Sequence, residues 1–378
     1  ELTFYLPDLN IFCGAELVSR NMHNLYTLRG AQVRNALDWS NTIDEALQMF
    51  GQSTVYFGSH HWPIWGNENV KTFLANQRDL YKYIHDQSVR LINQGSTANE
   101  IAEQLTLPDS LANYFANRGY YGSLSHNAKA VYQYYMGWFD ANPAHLNPLP
   151  ASESSRKYVE LMGGEEKILT KARVSFAQGE YRWVAELLNH IIFSNSDNTD
   201  AKSLLASTYE QLGYQAESAP WRNFYLMGAQ ELKQGVSDKG INLASMEEIL
   251  KNTPVTKFFE SMSVRLNSEK AKDETFNIVL NFTDINESYM LKVNNSVLHH
   301  YALIKKGIKQ NLVHDNDANV NASLSLTHSL FVKILIGKAS IKNTLFSDDL
   351  SVDGSIIELV SFFRLFDTPA GNFNIVTP

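Results

Sequence analysis

The apolar periodicity of this chain changes repeatedly along its length, and one layered domain does not accommodate all the changes. Leu2, Phe4 and Leu6 recur at period two, Leu9 to Cys13 forms a second short apolar run and Thr54 to Gly58 a third. Between the last two, Leu37, Ile43, Ala46, Leu47 and Phe50 fall at helical spacing, so a helix is expected over residues 36–50. Strand, helix, strand is the grammar of a layered α/β domain. From residue 73 to 163 the period becomes helical: Val70, Phe73, Leu74, Leu80, Ile84 and Val89 make an amphipathic stripe. An aromatic-rich segment follows from Tyr120 to Trp138, closed by a loop punctuated with Pro143, Pro148 and Pro150.

Residues 165–235 repeat weakly. Ala172, Ala177, Gly179 and Tyr181 precede Ala185, while Ala201, Tyr209, Leu212, Gly213 and Tyr214 precede Ala216. This is the small-residue grammar of stacked helix hairpins of tetratricopeptide type, with a period of about 34 residues, and an ordinary antiparallel bundle is the alternative. After residue 250 the period returns to two. Phe276, Ile278, Leu280 and Phe282 alternate, the chain turns at Asp284 to Glu287, and Tyr289, Leu291 and Val293 alternate again. Leu324 and Leu326 mark a further strand, Thr327 is a cap for a helix ended by Gly337, and a last helix is expected from Gly354 to Phe366. His299 and His300 are expected at a strand end. The fold class is therefore multi-domain: α/β, then all-α, then α+β.

Composition agrees with several cores and removes some functions. The 378 residues exceed the size of one typical domain of about 100–200 residues. A 44% hydrophobic content excludes a disordered chain, and no apolar run reaches the roughly 18 residues of a membrane-spanning helix. A net charge of −8 argues against phosphate-backbone binding as the main task. The lone Cys13 excludes an internal disulfide framework. Because Leu2, Phe4 and Leu6 begin the chain in mid-strand, an upstream part of the first domain is expected.

The densest polar and aromatic constellation lies in the first 66 residues. Glu16 follows a buried-looking strand, so its carboxylate emerges at the edge where ligands collect in layered α/β folds, although a lone strand-end Glu is more often a solvated charge. His60 and His61 end another strand, and neighbours on an extended chain point to opposite sides, so one can ligate while the other packs. A carboxylate and an imidazole suit zinc, but no His-x-His-x-Asp-His or His-Glu-x-x-His run completes a site here. Arg29 and Arg34 would stand about 140° apart on one helix, so their convergence on an oxyanion requires a bend, which Gly30 permits. Two surface arginines are the plainer alternative. Arg118 to Gly122 and His126-Asn127 line a cleft or serve helix packing.

The strings Cys13-Gly-Ala-Glu16, His23-Asn24-Leu-Tyr-Thr-Leu-Arg29-Gly30 with Arg34, and His60-His61-Trp62-Pro63 with Trp65-Gly66 together resemble the linear alkylsulfatases of the metallo-β-lactamase superfamily. The resemblance extends through Arg118-Gly-Tyr-Tyr-Gly122, Ser125-His126-Asn127, Asn142-Pro-Ala, Gly179-Glu-Tyr-Arg-Trp183 and the closing Asn374 to Pro378. It implies three parts: the end of a metallo-β-lactamase catalytic domain over 1–75, an all-helical dimerisation domain over 76–235, and a sterol-carrier-protein-like α+β domain over 245–378. It implies a zinc-dependent hydrolase of dodecyl-sulfate-type esters, periplasmic or secreted and homodimeric. Glu16 and His61 match metal ligands, with His60 a neighbour. Asn24, Leu25, Tyr26, Thr27, Leu28, Arg29 and Arg34 match the sulfate-binding segment. Two zinc ions per site are implied, with the remaining ligands upstream on an N-terminal fragment of the same enzyme, of which this chain would be about three-fifths. Without that fragment, a non-catalytic helical and lipid-binding module is the competing expectation, and a metallo-hydrolase of the same fold with another substrate is a third.

Overall fold

The computed structural model describes residues 2–236, 243–310, 319–339, 350–368 and 371–378. It divides into two compact units, Glu1–Gly235 with Asn374–Pro378, and Val236–Phe373.

The first unit opens with β1 (Phe4–Leu6) and β2 (Ile11–Ala15). The second strand begins two residues later than the apolar run that starts at Leu9. Pro7 starts a short 3-10 turn through Leu9, and Asn10 takes a left-handed conformation (φ 52°), so the ladder resumes only at Ile11. Helix α1 (Ala36–Phe50) has the expected bounds, because Asn35 accepts hydrogen bonds from the Leu37 and Asp38 amides and Ile43 and Ala46 face the core. β3 (Val55–Gly58) runs parallel to β2, and β4 (Ile64–Trp65) returns antiparallel, giving the sheet order β1-β2-β3-β4. Helix α2 (Asn67–Ile92) buries Val70, Phe73, Leu74, Leu80 and Ile84 against this sheet's core, which includes Phe12 and Tyr56.

Helices continue through α3 (Ala98–Gln104), closed at its start by a Thr97–Glu100 capping box, and α4 (Asp109–Ala112). α5 (Leu124–Met136) follows, with its N-terminus capped by Ser123. After α6 (Ala151–Leu161), two helix hairpins stack: α7 (Glu165–Ala177) with α8 (Tyr181–Ser194), and α9 (Thr199–Gln215) with α10 (Ala219–Gln234). Their cores share Ala172, Val184, Leu188, Ile191, Ala201 and Leu205, all fully buried. The chain's last residues return here: the Ile375 and Val376 amides donate to the Glu231 carboxylate at 2.9 Å, and Val376 packs on the helical core.

The second unit starts with α11 (Glu247–Lys251) and α12 (Val255–Ser263). β5 (Phe276–Phe282), β6 (Glu287–Asn294), β7 (Val297–Lys305) and β8 (Ile308–Lys309) form an antiparallel meander. β9 (Ala322–Leu326) joins β5 in parallel, and β10 (Leu350–Gly354) completes the order β10-β9-β5-β6-β7-β8. α13 (His328–Leu335) is capped by Thr327, and the last helix is Ile356–Arg364, two residues inside the expected span at each end. His299 and His300 lie within β7 and not at its end, because the ladder continues to Lys305. Helix and sheet share one core around Phe259, Phe282, Leu291 and Phe362.

The repeat grammar has a physical reason where the small residue is buried. Ala172 is inaccessible between helices, whereas Ala177 is exposed. Ala172→Leu is expected to overpack the site and cost about 1–3 kcal/mol in a urea titration. Ala177→Leu should lie within about 0.5 kcal/mol of the parent.

Candidate functional site

Parallel pairing of β2 and β3 brings the C-terminal ends of both strands together at one edge of the sheet. The register shifts between Cys13 and Ala15, and Ala15 takes a left-handed backbone (φ 47°), which turns Glu16 out of the strand. His60 leaves the neighbouring strand end, and its Nε2 stands 2.9 Å from Glu16 Oε1. That hydrogen bond, above all, holds the Glu16 carboxyl below the usual carboxylate range. Partial burial opposes it, and the charges of His23, His60 and Arg34 add to it. His61 has a left-handed backbone (φ 68°), so the two consecutive rings diverge. Its Nε2 contacts the Asn21 side-chain amide, and its ring meets Tyr120 edge-on at 5.3 Å. Burial, then the neighbouring His60 and Arg20, press its pKa below the ordinary histidine value.

The segment from Met22 to Arg34 lies beside this edge without forming helix or strand beyond an isolated bridge at Met22. Asn24, Leu25 and Thr27 are buried, Tyr26 and Leu28 half-buried, and Arg29 exposed. Gly30 takes φ 82°, the left-handed bend that lets the chain double back. Arg34 then reaches the start of the segment. Its NH1 donates to the Asn24 carbonyl (3.1 Å), to Asn24 Oδ1 (3.2 Å) and to Thr27 Oγ1 (3.1 Å), while its own amide donates to the Leu25 carbonyl. A guanidinium only donates, so the Asn24 amide oxygen faces Arg34 and its nitrogen faces away. That nitrogen is fully buried and has no hydrogen-bond partner among the described residues.

Beneath the segment, Trp39 of α1 forms a platform. Its indole donates to the Leu17 carbonyl at 2.6 Å and stacks on Tyr81, with ring centroids 4.9 Å apart, and the Arg34 guanidinium lies 5.6 Å from its centroid. The His23 amide donates to the buried Tyr81 hydroxyl at 2.9 Å, and the imidazole Nδ1 donates to the Asn24 carbonyl at 2.8 Å. Burial keeps this histidine below its ordinary pKa.

Helix α5 supplies the other side. Asn127 receives the Leu25 amide on Oδ1 (2.9 Å) and donates from Nδ2 to the His23 carbonyl (3.0 Å). His126 Nε2 lies 2.6 Å from the Tyr26 carbonyl. Among the described residues, no group of three or more His, Cys, Asp or Glu converges in a metal-binding arrangement. Glu16 with His60 supplies a carboxylate and an imidazole in contact, the donor chemistry that zinc takes.

Comparison with known proteins bears on this arrangement. A family model for the alkyl sulfatase dimerisation region matches residues 97–235, and one for the alkyl sulfatase C-terminal region matches residues 243–378. A linear primary-alkylsulfatase from a Pseudomonas species is 40% identical over 382 residues, covering 100% of this chain and 55% of that protein. A second linear primary-alkylsulfatase, from another Pseudomonas strain, is 33% identical over 377 residues, covering 97% of this chain and 69% of its own length. This chain belongs to the alkylsulfatase family. The solved structure of a stereoselective inverting sec-alkylsulfatase from Pseudomonas matches with a TM-score of 0.90 at 35% identity, over 100% of this chain and 58% of that one. The chain thus spans little more than half the length of most of these alkylsulfatases.

Within this alkylsulfatase chain, sequence reasoning left His126 and Asn127 between cleft and packing. They hold the backbone of the segment about a hundred residues earlier. Their pairing with a buried, irregular stretch has no periodic signal. Gly122 was a better clue: a Cβ there would stand 2.5 Å from the His23 carbonyl oxygen and 2.9 Å from the Asn24 nitrogen. Gly122→Ala should therefore push the segment off its seat and lower stability by about 1–3 kcal/mol, measured by thermal melting.

Proposed function

We propose that this chain belongs to a zinc-dependent alkylsulfatase that hydrolyses alkyl sulfate esters of the dodecyl sulfate type to an alcohol and inorganic sulfate. The observation that carries the reading is the Glu16–His60 contact at the edge of two parallel strands, in the electrostatic field of Arg34 and beside the Asn24–Arg29 segment. Relatives bearing the name alkylsulfatase that match 97–100% of this chain support the substrate class.

In this reading Glu16 and His61 are metal ligands, and His60 holds the Glu16 carboxylate in place. The remaining ligands of a two-zinc site lie outside these 378 residues, on the N-terminal part of the same enzyme. When bound, zinc supplies an activated water for attack on the ester. The chain's own residues bind and orient the sulfate. Arg29, exposed at the end of the segment, presents its guanidinium fork to the sulfate oxygens, and the charge of Arg34 reinforces it. The alkyl tail adds about 0.8 kcal/mol for each methylene it buries. The match of the helical region to the dimerisation model supports a homodimer, and the expected location is periplasmic or secreted.

Two measurements test this. In the full-length enzyme, Arg29→Ala is expected to reduce sulfate release from dodecyl sulfate by about a hundredfold or more, with metal content unchanged. Retained turnover would remove the segment from the site. Glu16→Gln and His61→Ala should each lower bound zinc, measured by plasma mass spectrometry, whereas His60→Ala should retain most of it. Zinc loss in His60→Ala but not in His61→Ala would exchange the two histidines' roles.

A further inference from the structure

Helix α5 and helix α10 meet at the His126 imidazole. Trp221 Nε1 of α10 lies 2.9 Å from His126 Nδ1, and His126 Nε2 lies 2.6 Å from the Tyr26 carbonyl oxygen. An indole nitrogen only donates and a carbonyl only accepts. The ring therefore takes the indole proton on a bare Nδ1 and carries its own proton on Nε2. A doubly protonated ring would set N–H against N–H at Trp221. We propose that His126 is the positioning residue of the proposed sulfate-binding segment: Trp221 fixes its tautomer, and the Nε2–H so defined pins the Tyr26 carbonyl and the turn that carries Arg29.

Three features carry the inference. The contact spans a hundred residues of sequence and joins no two regular elements, so helix packing alone does not require it. Asn127, the next residue on α5, holds Leu25 and His23, so the two side chains grip three neighbouring residues of the same segment. Tyr26, Leu28, His126 and Trp221 also line one cavity of about 810 Å³, which leaves the far side of the segment without packing to hold it in place. The pin is needed where packing is missing.

The surroundings favour the neutral ring. Burial is the main cause that lowers its pKa, the hydrogen bond to the Tyr26 carbonyl opposes it, and the charge of Lys129, one turn along α5 and 5.6 Å from the Trp221 ring centre, adds to the lowering. Asp140 and His145 face the same cavity and pair with each other at 2.6 Å. Glu103 and Arg182 lie beyond Lys129.

The role rests on the sulfate-binding reading of the segment, so the test separates the two. Selective 15N labelling of histidine in the full chain should show His126 neutral and protonated on Nε2 alone at neutral pH. Amide exchange over residues 22–34 should rise about tenfold in His126→Phe and stay near the parent in His126→Gln, whose side-chain amide restores a donor toward Tyr26. Trp221→Phe leaves the histidine in place and should let Nδ1 take a proton. An Nδ1–H tautomer in the parent, or unchanged exchange in His126→Phe, overturns the proposal. If exchange behaves as expected but inorganic sulfate, titrated calorimetrically into the full-length enzyme, does not bind, the positioning role stands and the sulfate reading of the segment fails.

Discussion

A buried stretch of chain with no regular secondary structure must find a partner for every amide and carbonyl it hides, because water cannot supply them. From His23 to Thr27 this chain does so with side chains. Tyr81 takes the His23 amide, Asn127 takes the Leu25 amide and holds the His23 carbonyl, and Arg34 holds the Asn24 carbonyl. Each lost partner would strand a buried group at a cost of about 1–3 kcal/mol. The segment is fixed because its alternatives are expensive, and the fold around it is arranged to deliver those partners from α2, from α5 and from Arg34 just ahead of α1.

The same constraint separates the two arginines. Arg34 directs three hydrogen bonds inward from one nitrogen, so its geometry is set by the loop and its charge reaches Glu16. Arg29 sits past the buried part, beyond the last residue that the loop needs to satisfy. One guanidinium shapes the segment and the other is free to meet a ligand. A Lys at position 34 would keep the charge but not the planar guanidinium that lies against the Trp39 ring.

What was legible in the sequence follows the range of the interaction. Helix α1 was readable to the residue because its apolar stripe is a local signal, and the Asn35 cap fixes its start in the structure. The hairpin of β5 and β6 was equally plain from alternation and a polar turn. The start of β2 was not, since a left-handed Asn10 overrode an apolar run that continued through it. The Glu16–His60 contact spans 44 residues and exists only because β2 and β3 are parallel and in one register, which neither strand states alone. His60 and His61 lie beyond the end of β3 and diverge because His61 takes a left-handed backbone, not through the strand alternation the sequence suggested, and neither residue's type says which of them faces Glu16.

The helical layer is a working part of the site's wall. The Ala219 amide at the start of α10 donates to the Tyr120 carbonyl, and the Gly119 amide donates to Glu217 just before it. The strand of contact continues from that loop: the Met22 amide donates to the Arg118 carbonyl, the Gly122 amide to the Met22 carbonyl, and the Tyr120 ring lies on His61. Both borders of the candidate site, the segment and the histidine pair, are thus seated on one loop that α10 anchors. A shift of α10 moves that loop, and with it His61, Met22 and, through Trp221, the ring of His126. The sheet edge supplies and pairs Glu16 and His60, while the segment and loop that border them are seated by helices about a hundred or more residues away. This is why residues 1–235 behave as one compact unit, although the matched dimerisation region begins within it at residue 97.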